Sequence, residues 1–191
     1  MKEGSVRADA RRKRQQIIEA ATERFRRRSS SETTLEGIAK DAGVGIATLY
    51  RHFPSRADLR LACALNFIDT LRGFLDETLE TFDDDPEAHW EGFVWRLVDY
   101  GVGALVWAFV DGQSQGVGPE VTDKRDQFFA DVEVLLDKAS DHGLVNPALG
   151  PLEMASELIV VTRPQGQHMD QLFPDVQKRL VGHLLAAWRQ A

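Results

Sequence analysis

The chain has 191 residues, 43% of them hydrophobic, with ten Phe against two Tyr and one cysteine. That length fits one compact domain or two small ones, and the apolar fraction suffices for a buried core. The lone Cys63 excludes an intramolecular disulfide framework and a cysteine-rich zinc site. The longest nearly apolar run, Gly101 to Val110, is too short to span a bilayer, and the Arg-rich N-terminus lacks a signal peptide's apolar stretch. A soluble, cytoplasmic protein is therefore expected, with no membrane partner. The net charge of −7 is unevenly divided. Residues 1–60 hold 14 Lys and Arg against 8 Asp and Glu, whereas the remainder holds 9 against 22. A basic head on an acidic body suggests that one end binds a polyanion and the other avoids it.

Helical periodicity runs almost throughout, and no stretch alternates apolar and polar residues as a half-buried strand would. The first predicted helix covers about Ala10 to Arg27, with Ile18, Ala21 and Phe25 on one stripe. Ser29-Ser30-Ser31 breaks it. A second, short helix opens at Thr33 or Thr34, where Thr33 and Glu36 have capping-box spacing, and Gly43 ends it. The third covers about Ile46 to Phe53 and stops at Pro54. Ser55 and Asp58 repeat the cap signature and start a long fourth helix, about 55–82, with an apolar stripe through Leu61, Leu65, Ile68, Leu71, Leu75 and Leu79. Further helices are predicted over about 87–110, 120–142, 150–163 and 174–190. The Gly/Gln segment from Gly112 to Pro119 reads as a loop.

The segment Thr33 to Leu59 carries the chemistry. Two short helices meet at a glycine turn, with Ala39 small at the crossing, Gly43 four residues later and Leu49 ten residues after Ala39. This is helix-turn-helix spacing, in which the second helix enters the major groove. The groove distinguishes base pairs by donor, acceptor and methyl patterns. Thr48, Tyr50, Arg51 and His52 supply hydrogen bonds to such a surface, while Gly45 and Ala47 allow close backbone approach.

The stretch AGVGIATLYRHFPSRADL, residues 42–59, resembles the DNA-binding signature of the TetR family of transcriptional regulators. The resemblance is specific over about residues 10–60 and rests on helix count and length beyond them. It implies an all-α fold: an N-terminal arm and three-helix helix-turn-helix DNA-binding domain over 1–54, then an α-helical ligand-binding and dimerisation domain over 55–191, whose first helix is the link. It implies DNA contacts from Thr34, Gly45, Ile46, Ala47, Thr48, Tyr50, Arg51, His52 and Arg56. Arg51 is the first choice for reading a guanine, and Arg56, matching a family lysine, reaches a phosphate at a helix N-terminus. Ile46 either presses a thymine methyl or folds back onto the motif's own core. Gly45-Ile46 departs from the commoner family pattern, which has Ser and a polar or basic residue there. Arg7, Arg11, Arg12, Lys13 and Arg14, with the Arg26-Arg27-Arg28 run, would neutralise phosphates without reading sequence.

The acidic body offers fewer signals. The histidines show no metal-ligand spacing, Glu153 and Glu157 read as a solvated helix face, and no phosphate loop or nucleophile motif appears. Neither an enzyme, a metal nor a cofactor is expected. The aromatic residues are mostly core, but Phe67, Trp90, Phe93, Tyr100, Trp107 and Phe128 are candidates to line a pocket for an unidentified small-molecule effector. The last helix and the one around Glu153 to Val161 are apolar over a wide arc. The family resemblance implies a homodimer interface there, from Glu157, Leu158, Val161, Leu180, Leu184, Ala187 and Trp188. The expected function is a repressor released from a palindromic operator in double-stranded DNA by a small apolar molecule. The alternative is a DNA-binding module controlled by a partner protein, with no small-molecule pocket.

Overall fold

The computed structural model describes residues 2–27, 33–110, 118–164 and 172–190, with side chains omitted at residues 2–6 and 110. Among these residues the regular structure is helical, without strands. In chain order the helices are α1 (Lys2–Arg27), α2 (Leu35–Asp41), α3 (Ile46–His52), α4 (Arg56–Thr81), α5 (Pro86–Tyr100), α6 (Val102–Val110), α7 (Pro119–Asp141), α8 (Pro151–Val161) and α9 (Val176–Trp188). A 3-10 turn, Phe82–Asp84, follows α4.

Two predicted boundaries need correction. The first helix begins at Lys2 rather than Ala10, because residues 2–10 contain no proline and mostly good helix formers. The single helix expected over 87–110 is two. Gly101 takes φ 84°, a left-handed conformation that suits a residue without Cβ, and its N–H returns to the carbonyls of Leu97 and Val98. The Gly/Gln loop lies mostly outside the described residues.

The chain forms two compact units: residues 1–67 with 108–121, and residues 68–107 with 122–191. In the first, the α1 stripe of Ile17, Ile18, Ala21 and Phe25 is at most 2% exposed. It shares a core with Ile38 and Ala39 of α2, Leu49 of α3, Phe53 and Leu59, and α1 packs on both short helices. Phe109 closes this core, its ring edge-on to Phe25 at 6.1 Å and to Phe67 at 5.6 Å. The Arg60 guanidinium donates to the carbonyls of Ala108 and Phe109 at 2.9 and 3.1 Å, a cation at the negative end of α6. Cys63 is fully buried and its thiol lies 3.8 Å from the Ile18 carbonyl; burial pushes its pKa up to about 12. The thiolate needed for redox chemistry is thus disfavoured, consistent with a packing role.

The second unit is built on Leu75, Phe82, Trp90, Phe93, Val94, Leu105, Leu135 and Leu158, all at most 1% exposed. Ion pairs Asp69–Lys124, Arg72–Asp131 and Asp83–Lys138 advance together along α4, its following turn and α7, so the two helices run in the same direction. Exposed pairs of this kind set register more than they add stability. At the crossing of α6 and α8, Gly103 N–H donates to the Thr162 hydroxyl at 3.2 Å, and that hydroxyl donates to the Leu158 carbonyl at 2.6 Å. A Cβ on Gly103 would lie 2.5 Å from the Thr162 carbonyl carbon. Backbone occupies that space, so nothing small can yield. By contrast, a Cβ on Gly37 would meet only the Arg24 guanidinium, at 2.6 Å, which sits there to pair with Asp41 at 2.6 Å. Gly103→Ala should therefore lower stability by about 1–3 kcal/mol as an overpacked crossing does. Gly37→Ala should cost less, because Arg24 can swing away; thermal unfolding of the two variants checks the order.

Candidate nucleic-acid interface

The helix pair α2–α3 is a local consequence of three residues. Thr34, one of the two expected starts, caps α2 by accepting the Gly37 N–H at 3.1 Å, whereas Thr33, which has capping-box spacing to Glu36, is 1% exposed and belongs to the interior. Gly43 takes φ 65°, turning the chain while its N–H and that of Val44 return to the carbonyls of Lys40 and Ala39. Gly45 then opens α3, its carbonyl accepting from both Thr48 and Leu49.

A seven-residue helix needs an anchor, and here it is Leu49, 0% exposed and the buried residue of α3. With Leu49 inward, Ala47, Tyr50 and Arg51 stand outward on one face, with Ile46 beside them. Ile46 is 37% exposed, which answers the question left open by its sequence: it is not folded into the core. Thr48 and His52 are half-buried at the flanks. Pro54 follows, and a reciprocal capping box begins α4: the Asp58 carboxylate accepts from the Ser55 N–H at 3.0 Å, and the Asp58 N–H donates to the Ser55 hydroxyl at 3.1 Å. Arg56, the first residue of α4, is exposed. The structure thus brings together Gly45, Ile46, Ala47, Thr48, Tyr50, Arg51 and His52 on one short helix and its cap, with Arg56 shortly after.

Charge accumulates around the C-terminal end of α3. The Arg14 guanidinium lies over the Phe53 ring at 5.1 Å. His52 has its pKa lowered, first by burial and then by the charges of Arg51, Arg14 and Lys13. Its imidazole is therefore neutral near pH 7 in the free protein. Other cations are already occupied: Arg26 and Arg27 both pair with Glu23, and Arg28 lies outside the described residues.

The six aromatic residues proposed for a ligand site are dispersed. Phe67 packs on Phe109 in the first unit, while Trp90, Phe93 and Phe128 are at most 6% exposed in the second. Trp90 meets Trp188 edge-on at 6.2 Å, and half-buried Tyr100 meets Phe74 at 5.5 Å. Trp107 is 41% exposed, with the Arg163 guanidinium 3.8 Å above its ring. A groove of about 440 Å³ in the second unit is lined by other residues, among them Glu91, Trp95, Leu185, Ala186 and Arg189. Of the expected dimer residues, Leu158 and Trp188 are buried within the chain, and the Trp188 indole N–H donates to Glu157. Val161 and Leu184 are half-buried, whereas Leu180 and Ala187 are exposed. The most exposed apolar side chains of α8 are Leu152 and Val160, eight residues apart on one face, a spacing present in the sequence and overlooked. Among the described residues no cluster of three or more His, Cys, Asp or Glu could hold a metal ion, and no helix is long and apolar enough to cross a membrane.

An N-terminal helix-turn-helix followed by an all-α body defines the class of fold. Residues 17–63 match the domain described as "Bacterial regulatory proteins, tetR family". A curated relative, an HTH-type transcriptional regulator of Staphylococcus aureus (strain USA300), is 41% identical over 54 residues. That match spans 28% of this chain and 29% of the relative, so the likeness to it is confined to the head. Solved TetR regulators from Streptomyces coelicolor and Mycobacterium vanbaalenii share the fold, each at 24% identity. The first has a TM-score of 0.68 over 93% of this chain and 99% of that one, the second 0.65 over 97% and 99%. The head thus matches the TetR-family domain, and the chain as a whole shares the fold of these solved TetR regulators.

A phosphate beside His52 would offset the cationic surroundings that keep it neutral, so a duplex-bound head should take up a proton that the free head does not. Duplex affinity should then rise several-fold as pH falls from about 7.5 toward the ordinary histidine range near 6.5. His52→Gln should flatten that profile, measured by fluorescence anisotropy of a labelled duplex. The sign is opposite for folding, where charging His52 below its ordinary pKa subtracts stability.

Proposed function

We propose that this protein is a cytoplasmic, homodimeric DNA-binding regulator, a repressor released from a palindromic operator by a small, largely apolar molecule. The observation that carries the DNA-binding part is the exposed face of α3. Ile46, Ala47, Tyr50 and Arg51 project from a helix anchored by buried Leu49, next to a basic surface. An α-helix fits the major groove, where Arg51 donates to guanine O6 and N7 and Ile46 contacts a thymine methyl. Thr48, Tyr50, His52 and Arg56 hold phosphates and fix the register, with Thr34 at the start of α2 doing the same. Gly45 and Ala47 keep the backbone near the bases.

Dimerisation is supported by the apolar side chains left open on α8 and α9. Leu152 is 69% exposed, Val160 70% and Leu180 36%. A second copy related by a two-fold axis covers such a face with the same face, and it also presents two α3 helices to two half-sites. Leu158, Trp188 and Glu157 support the helices from within. Val161, Leu184 and Ala187 border the proposed contact.

Release by an effector requires that the effector bind the non-operator state more tightly than the operator state. By linkage, saturating operator must weaken effector binding by the same factor. The dispersal of the six candidate aromatics, with Trp90 and Phe93 in the core, favours a second reading in which a partner protein provides control. A fluorescent apolar probe that binds saturably to the dimer and loses affinity on adding operator supports the first reading; absence of any saturable site supports the second.

Selection of genomic fragments with purified protein yields the operator on which these roles are tested. Arg51→Ala should cost about 1–3 kcal/mol and relax preference at one base pair per half-site. Arg56→Ala should weaken all sequences alike and lower the salt dependence by about one charge per protomer. Equal, sequence-independent losses in both variants would reassign Arg51 to the backbone. Val160→Asp should yield a monomer by sedimentation, with the advantage of two half-sites over one lost.

A further inference from the structure

The N-terminal third of the molecule contains a feature that the helix-turn-helix does not account for. Helix α1 begins at Lys2, long before its first core residue Ile17, so about four turns precede the packed part. The stripe that forms the core, Ile18, Ala21 and Phe25, continues upstream at spacings of three and four through Arg14, Arg11 and Arg7. On one helix face, apolar residues therefore give way to three arginines, all exposed. The same face packs on α3 further along, and Arg14 already lies over Phe53 at the end of α3.

The other cations of the arm are arranged differently. Arg12 and Lys13 both pair with the Asp9 carboxylate, at 2.6 and 2.7 Å, away from the core stripe. Hydrogen bonds from Lys13 and then Arg12 hold the Asp9 carboxyl below the usual carboxylate range. Arg11 and Arg14 have no acidic residue three or four positions away in either direction, whereas Arg7 has Glu3 four positions before it. Asp9 thus offsets one of the two charges on that edge, whereas Arg11 and Arg14, on the edge aligned with α3, keep theirs.

We infer that the helical arm is a second duplex-binding element, in which Arg7, Arg11 and Arg14 lie on the sugar-phosphate backbone beyond the groove entered by α3, while Arg12 and Lys13 face away from it. The inference rests on the reading that the head binds DNA, and it assigns the partner by charge complementarity: a regular polyanion that a row of guanidinium groups follows without base recognition.

The test compares two variants of identical net charge in the full chain, Arg7→Gln/Arg11→Gln and Arg12→Gln/Lys13→Gln. Glutamine keeps helix propensity, and circular dichroism verifies equal helicity. Affinity for a mixed-sequence duplex, long enough to hold two half-sites, is measured against salt concentration. The Arg7/Arg11 variant should lose about two charges per protomer of salt dependence, and the Arg12/Lys13 variant less than half of that. Sequence preference should remain unchanged in both. Equal losses, or none, in the two variants while the wild-type chain binds duplex overturn the face assignment. A wild-type chain with no salt-dependent duplex binding overturns instead the DNA-binding reading on which it rests.

Discussion

The structure of the head depends on the burial of one leucine. A helix of seven residues has no stability of its own, because nucleation consumes most of what so few hydrogen bonds return. Helix α3 persists because Leu49 is driven out of water into a core supplied by α1 and α2, with Phe53 sealing the end. Everything that α3 presents follows from that seat. Rotating the helix to expose Leu49 would bury Arg51 or Tyr50, at a cost larger than the leucine's transfer energy. The outward set is therefore held by an inward residue that touches no ligand.

The two units solve their close approaches in opposite ways. In the head, Gly37 leaves room for the Arg24 side chain, which bridges α1 to Asp41 of α2. The contact is charged and adjustable. In the body, Gly103 leaves room for the Thr162 backbone, and the threonine hydroxyl both accepts and donates at the crossing. That contact is rigid. A glycine in a helix costs about 1 kcal/mol relative to alanine, and its presence at both points reflects what occupies the missing Cβ position.

Much of the head could be read from spacing, because its determinants are local: turn glycine at Gly43, cap at Ser55 with Asp58, apolar residues at three-and-four intervals. The choice between Thr33 and Thr34 is instructive, since two adjacent threonines offer the same side chain and only the burial of one decides which caps. The body was less legible for a related reason. Gly101 breaks a helix only by adopting positive φ, while Gly92 and Gly103 lie within helices, and nothing in the residue type tells these cases apart. Aromatic residues likewise do not announce whether they line a space or fill it. Trp90 and Trp107 looked equivalent in sequence, yet one is 1% exposed and the other 41%.

Cys63 has a practical corollary. The only sulfhydryl of the chain is enclosed by the head's core, so maleimide chemistry on the native protein finds no endogenous target. A cysteine introduced at any solvent-facing site would be the sole place where a spin label or dye attaches. The molecule is in this respect already suited to distance spectroscopy, without the removal of native thiols that such work ordinarily demands.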